Sequence, residues 1–228
     1  MKAVNETSVT LRHAGIYRTR DHWTVREAMR TPVFWLLTLA AVGESAPGTA
    51  AVAHAIPHLR DLGHTALAAG TALGFFSVCS IVGSLIAGVL CDRVDPRTSW
   101  ALCISMIGCG VLVATRAESE LAMYVFTGMV GFGSGAALTG WQATIGNYFG
   151  PTSFASMLCA QLPISNTIAA ASRLLVGMVY DAYGTYTPAF IGLGALAFLT
   201  AVLLYFARPP LRSLAYRDMP VIISSETQ

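Results

Sequence analysis

The sequence predicts an all-α membrane protein, built as a bundle of six transmembrane helices. Of its 228 residues, 54% are hydrophobic and only 11% are charged, and the apolar residues fall in six long runs. A soluble domain carries about 25% charged residues, so the solvent around this chain is expected to be lipid. The net charge of +2 argues against a nucleic-acid partner, which requires a clustered basic face.

A membrane-crossing helix needs about 20 mostly apolar residues, and the six runs meet this length to varying degrees. The predicted spans cover residues 33–54, 66–90, 99–115, 121–145, 156–180 and 188–206. The first is interrupted by Glu44 and Pro47, the third is short, and the sixth is the most uniformly apolar. The fifth is the most polar, because it contains Gln161, Asn166 and Arg173. Together they form a predicted bundle over residues 33–206.

Basic residues predict the orientation of the bundle, because cytoplasmic loops are enriched in Lys and Arg. The side with both chain ends holds 11 of the 14: Lys2, Arg12, Arg18, Arg20, Arg26, Arg30, Arg93, Arg97, Arg208, Arg212 and Arg217. The other side holds Arg60 and Arg116, and Arg173 lies within a span. Both termini are therefore expected in the cytoplasm, with the bundle in the inner (plasma) membrane.

The flanking segments are expected to be cytoplasmic. Residues 1–32 form the N-terminal segment, in which "TRDHWTVREAMRTPVFW" predicts an amphipathic helix with Trp23, Val25 and Met29 at the membrane interface. Residues 207–228 form a C-terminal tail.

Small residues recur at the four-residue spacing that lets helix backbones approach closely. The pairs are Gly70 with Gly74, Gly83 with Ala87, and Gly131 with Gly135. They indicate either ordinary tight packing or helices that slide as a cavity opens.

Two charges inside the spans are candidates for function, because a charge in a bilayer is costly unless it is paired or faces water. Glu44 lies mid-span beside Gly43 and Pro47, where a broken helix is expected, and a carboxylate there is suited to carrying a proton. Arg173 offers a guanidinium suited to a carboxylate or phosphate. Two structural alternatives remain: a Glu44–Arg173 bridge, or Arg173 reaching to the outer surface.

Three further polar residues are weaker candidates for substrate binding or coupling. His54 is a candidate proton relay, although a place at the outer end of the first span explains it equally. Gln142 and Asn166 either line a polar path or bond neighbouring helices. No phosphate loop, nucleophile elbow or metal-ligand cluster is present, so no cofactor, metal or enzymatic activity is expected.

The stretch "GVLCDRVDPRT" between the second and third spans is the most specific motif. It resembles the Gly-x-Leu-Ala-Asp-Arg loop signature of the major facilitator superfamily, matched at Gly88, Leu90, Asp92 and Arg93. Asp95 and Pro96 depart from the pattern, and Arg97 fits its later basic position. The resemblance implies a gating loop of Gly88, Asp92, Arg93 and Arg97; the topological alternative is that the arginines only hold the loop inside.

Other segments extend the resemblance over about residues 23–210. "VREAMRTPVFW" is similar to text before span seven of bacterial facilitators, "HAIPHLRDLG" to the loop after that span, and "NYFG" to text after span ten. "GMVYDAYGTYTPAF" resembles the turn between spans eleven and twelve in the monocarboxylate and oxalate/formate transporter branch. The degenerate loop implies that the six spans correspond to spans seven to twelve, the C-terminal half of a secondary transporter for a small solute such as an organic anion. Its N-terminal six-span half would lie in the same or a second chain. A homodimeric channel or scaffold remains the alternative.

Overall fold

A computed structural model describes residues 17–19 and 22–210, and every regular element in that part of the chain is a helix. In chain order the helices are α1 (Val25–Met29), α2 (Pro32–Asp61), α3 (Ala66–Cys91), α4 (Pro96–Ala114), α5 (Glu120–Phe149), α6 (Phe154–Tyr183) and α7 (Thr187–Phe206). Helices α2 to α7 are long and apolar enough to cross a membrane. The predicted six-span all-α bundle is therefore confirmed.

Polar caps fix where several helices begin, and α2, α3 and α5 start within one residue of the predicted spans. The hydroxyl of Thr31 accepts from the backbone NH of Phe34 at 3.4 Å, and Pro32 occupies the first turn of α2. Thr65 and Ser119 cap α3 and α5 in the same way. Such caps satisfy NH groups that have no partner inside the helix.

The helix break expected near Glu44 is absent, because α2 is continuous from Pro32 to Asp61 through Pro47 and Pro57. Proline is tolerated within membrane helices when neighbouring helices compensate for the lost backbone bond. Gly43 has a packing role here: a Cβ at this position would collide with the side chain of Thr200 in α7. The signal read as a helix break is thus a close contact between α2 and α7.

Helices α3 and α5 approach each other through glycines. A Cβ on Gly83 would collide with the carbonyl of Phe132, and one on Gly131 would collide with the carbonyl of Phe76. The Ser84 hydroxyl donates to the Gly135 carbonyl at 2.9 Å across the same interface. These glycines serve tight packing, whereas a Cβ placed on Gly70 or Gly74 would have no neighbouring atom within 4 Å.

The helices differ strongly in how much of their surface is covered. Within its most apolar 18 residues, α2 is 61% buried, whereas α3 is 11% and α6 is 22% buried. Leucines at positions 67, 85, 174 and 175 are among the exposed apolar side chains of α3 and α6. The bundle therefore packs around α2, α4 and α5, and leaves α3 and α6 open on its outside.

The predicted amphipathic interface helix is wrong in part. Among the described residues before α2, only the five of α1 are helical. Met29 is exposed as expected, but Trp23 is buried, with its ring 5.7 Å from that of Phe149 between centroids. The Trp23 backbone NH also donates to the Ser153 hydroxyl at 2.9 Å. Trp23 thus attaches the described residues just before α1 to the α5–α6 turn.

We expect Gly131→Ala to destabilise the bundle, because its new methyl group collides with a backbone carbonyl that cannot rotate away. Overpacking of this kind costs about 1–3 kcal/mol. Thermal unfolding in detergent should show a lower Tm for Gly131→Ala. The matched control is Gly70→Ala on α3, where the added methyl group meets open space. Equal Tm values for the two variants would contradict the packing role.

Candidate functional site

A cavity of about 520 Å³ lies between α2, α3, α5 and α6, near the middle of the bundle. Glu44 and Arg173 are its two charged residues, and its five hydroxyl residues are Ser45, Thr49, Ser80, Ser84 and Ser134. Glu44 follows Pro32 by a rise of about 18 Å along α2. The size suits a small molecule, and pockets with apolar walls and a few converging polar groups are typical of ligand sites.

Glu44 is held on the cavity wall by an aromatic partner from another helix. Its side chain is 9% exposed, and its Oε2 atom accepts a hydrogen bond from the indole NH of Trp100 at 2.8 Å. Trp100 lies near the start of α4 and is fully buried. A buried carboxyl needs such partners, because unpaired charge is costly away from water. Trp100 thus fixes one carboxyl oxygen of Glu44.

Arg173 shares the cavity with Glu44 without bonding to it. The ion pairs within 4.0 Å among the described residues are Arg18–Asp92 and Arg97–Asp95, so the structural bridge considered from the sequence is not formed. Arg173 is an exposed residue that lines the cavity. Next to it, the Ser172 hydroxyl donates to the Ala46 carbonyl at 3.2 Å, which ties α6 to α2.

The hydroxyl residues of the cavity were missed in the sequence. Thr49 donates to the Ser45 carbonyl at 2.6 Å, whereas the Ser45 hydroxyl is buried and has no hydrogen-bond partner. The available signal was spacing: Ser45 and Thr49, like Ser80 and Ser84, are four residues apart and so share a helix face. An unpaired buried hydroxyl costs about 1–3 kcal/mol, so Ser45 is a candidate contact for a bound solute.

Of the three remaining polar candidates, His54 lies beside the cavity and the two amides do not line it. The Nε2 atom of His54 lies 3.0 Å from the carbonyl oxygen of Arg173, beside the cavity. Gln142 and Asn166 are exposed and do not line this cavity, so their place on a polar path stays a prediction. Gln161 is the buried amide instead: it accepts from the Trp141 indole at 2.9 Å and donates to the Phe34 carbonyl at 3.3 Å. That is interhelical bonding.

Histidines and aromatic residues pack together at the opposite end from the signature loop. His58 and Phe190 have ring centroids 4.9 Å apart, and Tyr186 stacks on Tyr180 at 4.2 Å. Tyr186 precedes α7, outside the predicted membrane segments. Burial, with the nearby Asp61 carboxylate, raises the pKa of Tyr186. This phenol therefore stays neutral at physiological pH.

The first charged residues of the signature loop, Asp92 and Arg93, are exposed on the surface of the bundle. Asp92 ends α3, is 81% exposed in its side chain, and lies 3.8 Å from the Arg18 guanidinium. A Cβ placed on Gly88 would have no neighbouring atom within 4 Å, so this side of α3 is open as well.

The back of the loop is built into the bundle. Asp95, which departs from the family pattern, caps α4 by accepting from the Arg97 backbone NH at 3.0 Å, and Pro96 occupies the first helical position. The Arg97 guanidinium donates to the Ala207 carbonyl at the end of α7. The Tyr148 hydroxyl donates to the same carbonyl at 3.3 Å. A cation there complements the negative end of the helix dipole.

We expect Arg97→Ala to lower stability, because it removes a charge-assisted hydrogen bond worth about 1.5–3 kcal/mol. Arg93→Ala is the matched control, since it removes an exposed arginine from the same loop. Unfolding in detergent should give a lower Tm for Arg97→Ala and a Tm close to that of the unaltered chain for Arg93→Ala. A larger loss for Arg93→Ala would overturn this division of the loop.

The comparisons with known proteins agree with the fold. No curated protein matches the chain. The family model described as Major Facilitator Superfamily matches residues 24–220, which includes all six long helices and the signature loop. This match covers well over half of the sequence. The chain belongs to the major facilitator superfamily, whose members transport solutes across membranes.

Proposed function

We propose that this chain is the C-terminal six-span half of a secondary active transporter and moves a small carboxylate by alternating access. The observation that carries the proposal is the cavity in which Arg173 and Glu44 stand without an ion pair between them. A permanently charged guanidinium that lacks an acidic partner is suited to an anionic solute. The resemblance to the monocarboxylate and oxalate/formate branch supports the same class of solute.

In this proposal Arg173 binds the carboxylate of the solute, and the cavity hydroxyls contact the rest of the molecule. A guanidinium offers two parallel NH donors to one carboxylate, which fixes orientation as well as charge. Ser45 also lines the cavity, and its buried hydroxyl, which has no hydrogen-bond partner, is proposed to gain one when a polar solute binds.

Glu44 is proposed to carry the coupling proton. Binding an anion beside an ionised, buried carboxylate brings two negative charges together, whereas a protonated Glu44 leaves the occupied cavity neutral. The Trp100 indole donates to Glu44 in either state, because a carboxylic acid retains an accepting oxygen. The carboxyl group can thus gain and lose a proton without moving from its place.

The N-terminal half is proposed to cover the open faces of α3 and α6. Helices α3 and α6 are the least buried of the six. Together with α2 and α5 they line the cavity. Asp92 and Arg93 project from the end of α3, where contacts with another half can form in one access state and break in the other. With both termini in the cytoplasm, this end of the protein faces inward in the plasma membrane.

A homodimeric channel or scaffold is the second candidate. Gly70 and Gly74 lie on exposed turns of α3, and a Cβ added to either would have no neighbouring atom within 4 Å. Such a face permits close approach of a second helix. Transport or conduction by the purified chain alone in liposomes would favour this candidate over a half that requires an N-terminal partner.

We expect Arg173→Gln to lower carboxylate affinity, because it replaces a charged donor pair with a neutral amide. Loss of a charge-assisted bond of about 1.5–3 kcal/mol corresponds to roughly ten- to hundredfold. The assay is uptake of labelled propanoate into proteoliposomes that hold the complete transporter. The controls are uncharged propanamide and Arg116→Gln, which alters an exposed arginine outside the cavity and the signature loop. Unchanged propanoate uptake by Arg173→Gln would refute the site.

We expect Glu44→Gln to uncouple transport from the proton gradient, because the amide accepts the Trp100 hydrogen bond but cannot release a proton. Propanoate accumulation driven by an inward proton gradient, after subtraction of the passive accumulation in protein-free liposomes, should fall to the level without a gradient. Exchange of internal for external propanoate at equal pH should persist. Glu118→Gln, the same change at an exposed residue between α4 and α5 and outside the cavity, is the control. Gradient-driven accumulation that survives in Glu44→Gln would exclude Glu44 as the carrier.

A further inference from the structure

We propose that His54 is a positioning residue for Arg173. Its imidazole is hydrogen-bonded to the backbone carbonyl of Arg173, with the Nε2 atom and the carbonyl oxygen 3.0 Å apart. Through this bond it fixes the turn of α6 that presents the guanidinium to the cavity. The inference rests on the proposed function, in which Arg173 binds the carboxylate of the solute.

The partner atom determines which nitrogen of His54 carries the proton. A carbonyl oxygen only accepts, so the Nε2 atom donates. In a continuous helix the Arg173 carbonyl also accepts from the backbone NH of Gly177, and a carbonyl oxygen has two lone pairs for the two donors. The role follows from donation by the Nε2 atom, which differs from the proton relay considered for His54 from the sequence.

The turn around Arg173 is tied to α2 at two adjacent residues. His54 holds the carbonyl of Arg173, and the hydroxyl of Ser172 donates to the Ala46 carbonyl at 3.2 Å. Ala46 lies within the cavity-lining part of α2, which runs from Glu44 to Ala53, and His54 directly follows it. The backbone of the turn is therefore fixed relative to the wall that carries Glu44.

The approach of the His54 ring depends on its surroundings. A Cβ on Gly177 would lie 3.9 Å from the Cε1 atom of His54, so the ring rests directly on the Arg173–Gly177 turn. On the same ring, the centroid distance to Tyr186 is 5.4 Å. Tyr186 stacks on Tyr180 and Phe190 at the turn between α6 and α7. His54 thus joins the cavity arginine to a packed aromatic cluster.

A fixed base matters because an arginine side chain has many rotatable bonds. The side chain of Arg173 is exposed and has no ion pair among the described residues, so its backbone is the place where its position is restrained. If the backbone of this turn is less well fixed, Arg173 binds the carboxylate less tightly, and to the same degree in every stage of the transport cycle. A loss of uniform binding raises KM and leaves kcat nearly unchanged.

The experiment compares three variants in the complete transporter. His54→Phe keeps a ring against Tyr186 but removes the donor, and His54→Gln restores a donor. His64→Phe is the matched control, because His64 is also half-buried and its Nε2 atom lies 2.7 Å from a carbonyl, that of Ala117, away from the cavity. Propanoate uptake gives KM and kcat, and hydrogen–deuterium exchange of residues 170–180 reports on the turn without any solute.

We expect His54→Phe to raise the KM for propanoate about fivefold, the effect of losing one neutral hydrogen bond. Its kcat should stay near that of the unaltered protein, and exchange at residues 170–180 should become faster. His54→Gln should have a KM close to that of the unaltered protein. His64→Phe should change neither the KM nor the exchange rate of residues 170–180.

Each other outcome has a defined meaning. If Arg173→Gln abolishes propanoate uptake but His54→Phe alters neither KM nor exchange, the positioning role is wrong and the proposed function stands. If exchange rises in His54→Phe but Arg173→Gln transports normally, the contact is real and the proposed function fails, and the positioning role fails with it. If His54→Phe and His64→Phe lower kcat and Tm alike, His54 is merely structural, and the inference is overturned.

Discussion

Each polar group inside this bundle must find a partner within the protein, because the lipid around it offers none. The backbone meets this requirement by forming six continuous helices, and α2 remains continuous through two prolines. Buried side chains meet it by bonding between helices: Trp100 to Glu44, Gln161 to Phe34, and Ser172 to Ala46. The hydroxyls of Ser45 and Ser99 are exceptions among the described residues, and of these two Ser45 lines the cavity.

Close helix contacts and the cavity come from one packing scheme. Glycines let α3 and α5 approach so closely that backbone carbonyls of one helix occupy the space that a Cβ atom would take on the other. On α2, Gly43 lets α7 approach, whereas Gly48, one turn further on, lines the cavity. A Cβ on Gly48 would lie 3.1 Å from the Ser134 hydroxyl, so a larger residue there would press on the cavity wall. Small residues thus shape the site as well as the scaffold around it.

The sequence predicts the fold well and the site in part. Hydropathy and length identify all six spans, because lipid imposes them on any bundle. Glu44 and Arg173 are found as well, since charges stand out in apolar runs. Gln142 and Gln161 show the limit: both are amides in long helices, and their helix faces decide that Gln161 is buried and Gln142 exposed. Hydropathy alone does not reveal which face meets a neighbour.

The signature loop combines two physical tasks within six residues. Its first part, Asp92 and Arg93, is exposed and has the charge needed for contacts that form and break. Its second part is permanent structure, because Asp95 starts α4 and Arg97 bonds the end of α7. The Asp95 departure from the family pattern thus supplies a helix cap. In the proposed function the exposed part makes a contact that forms and breaks, and the Asp95 departure gives that contact a rigid base.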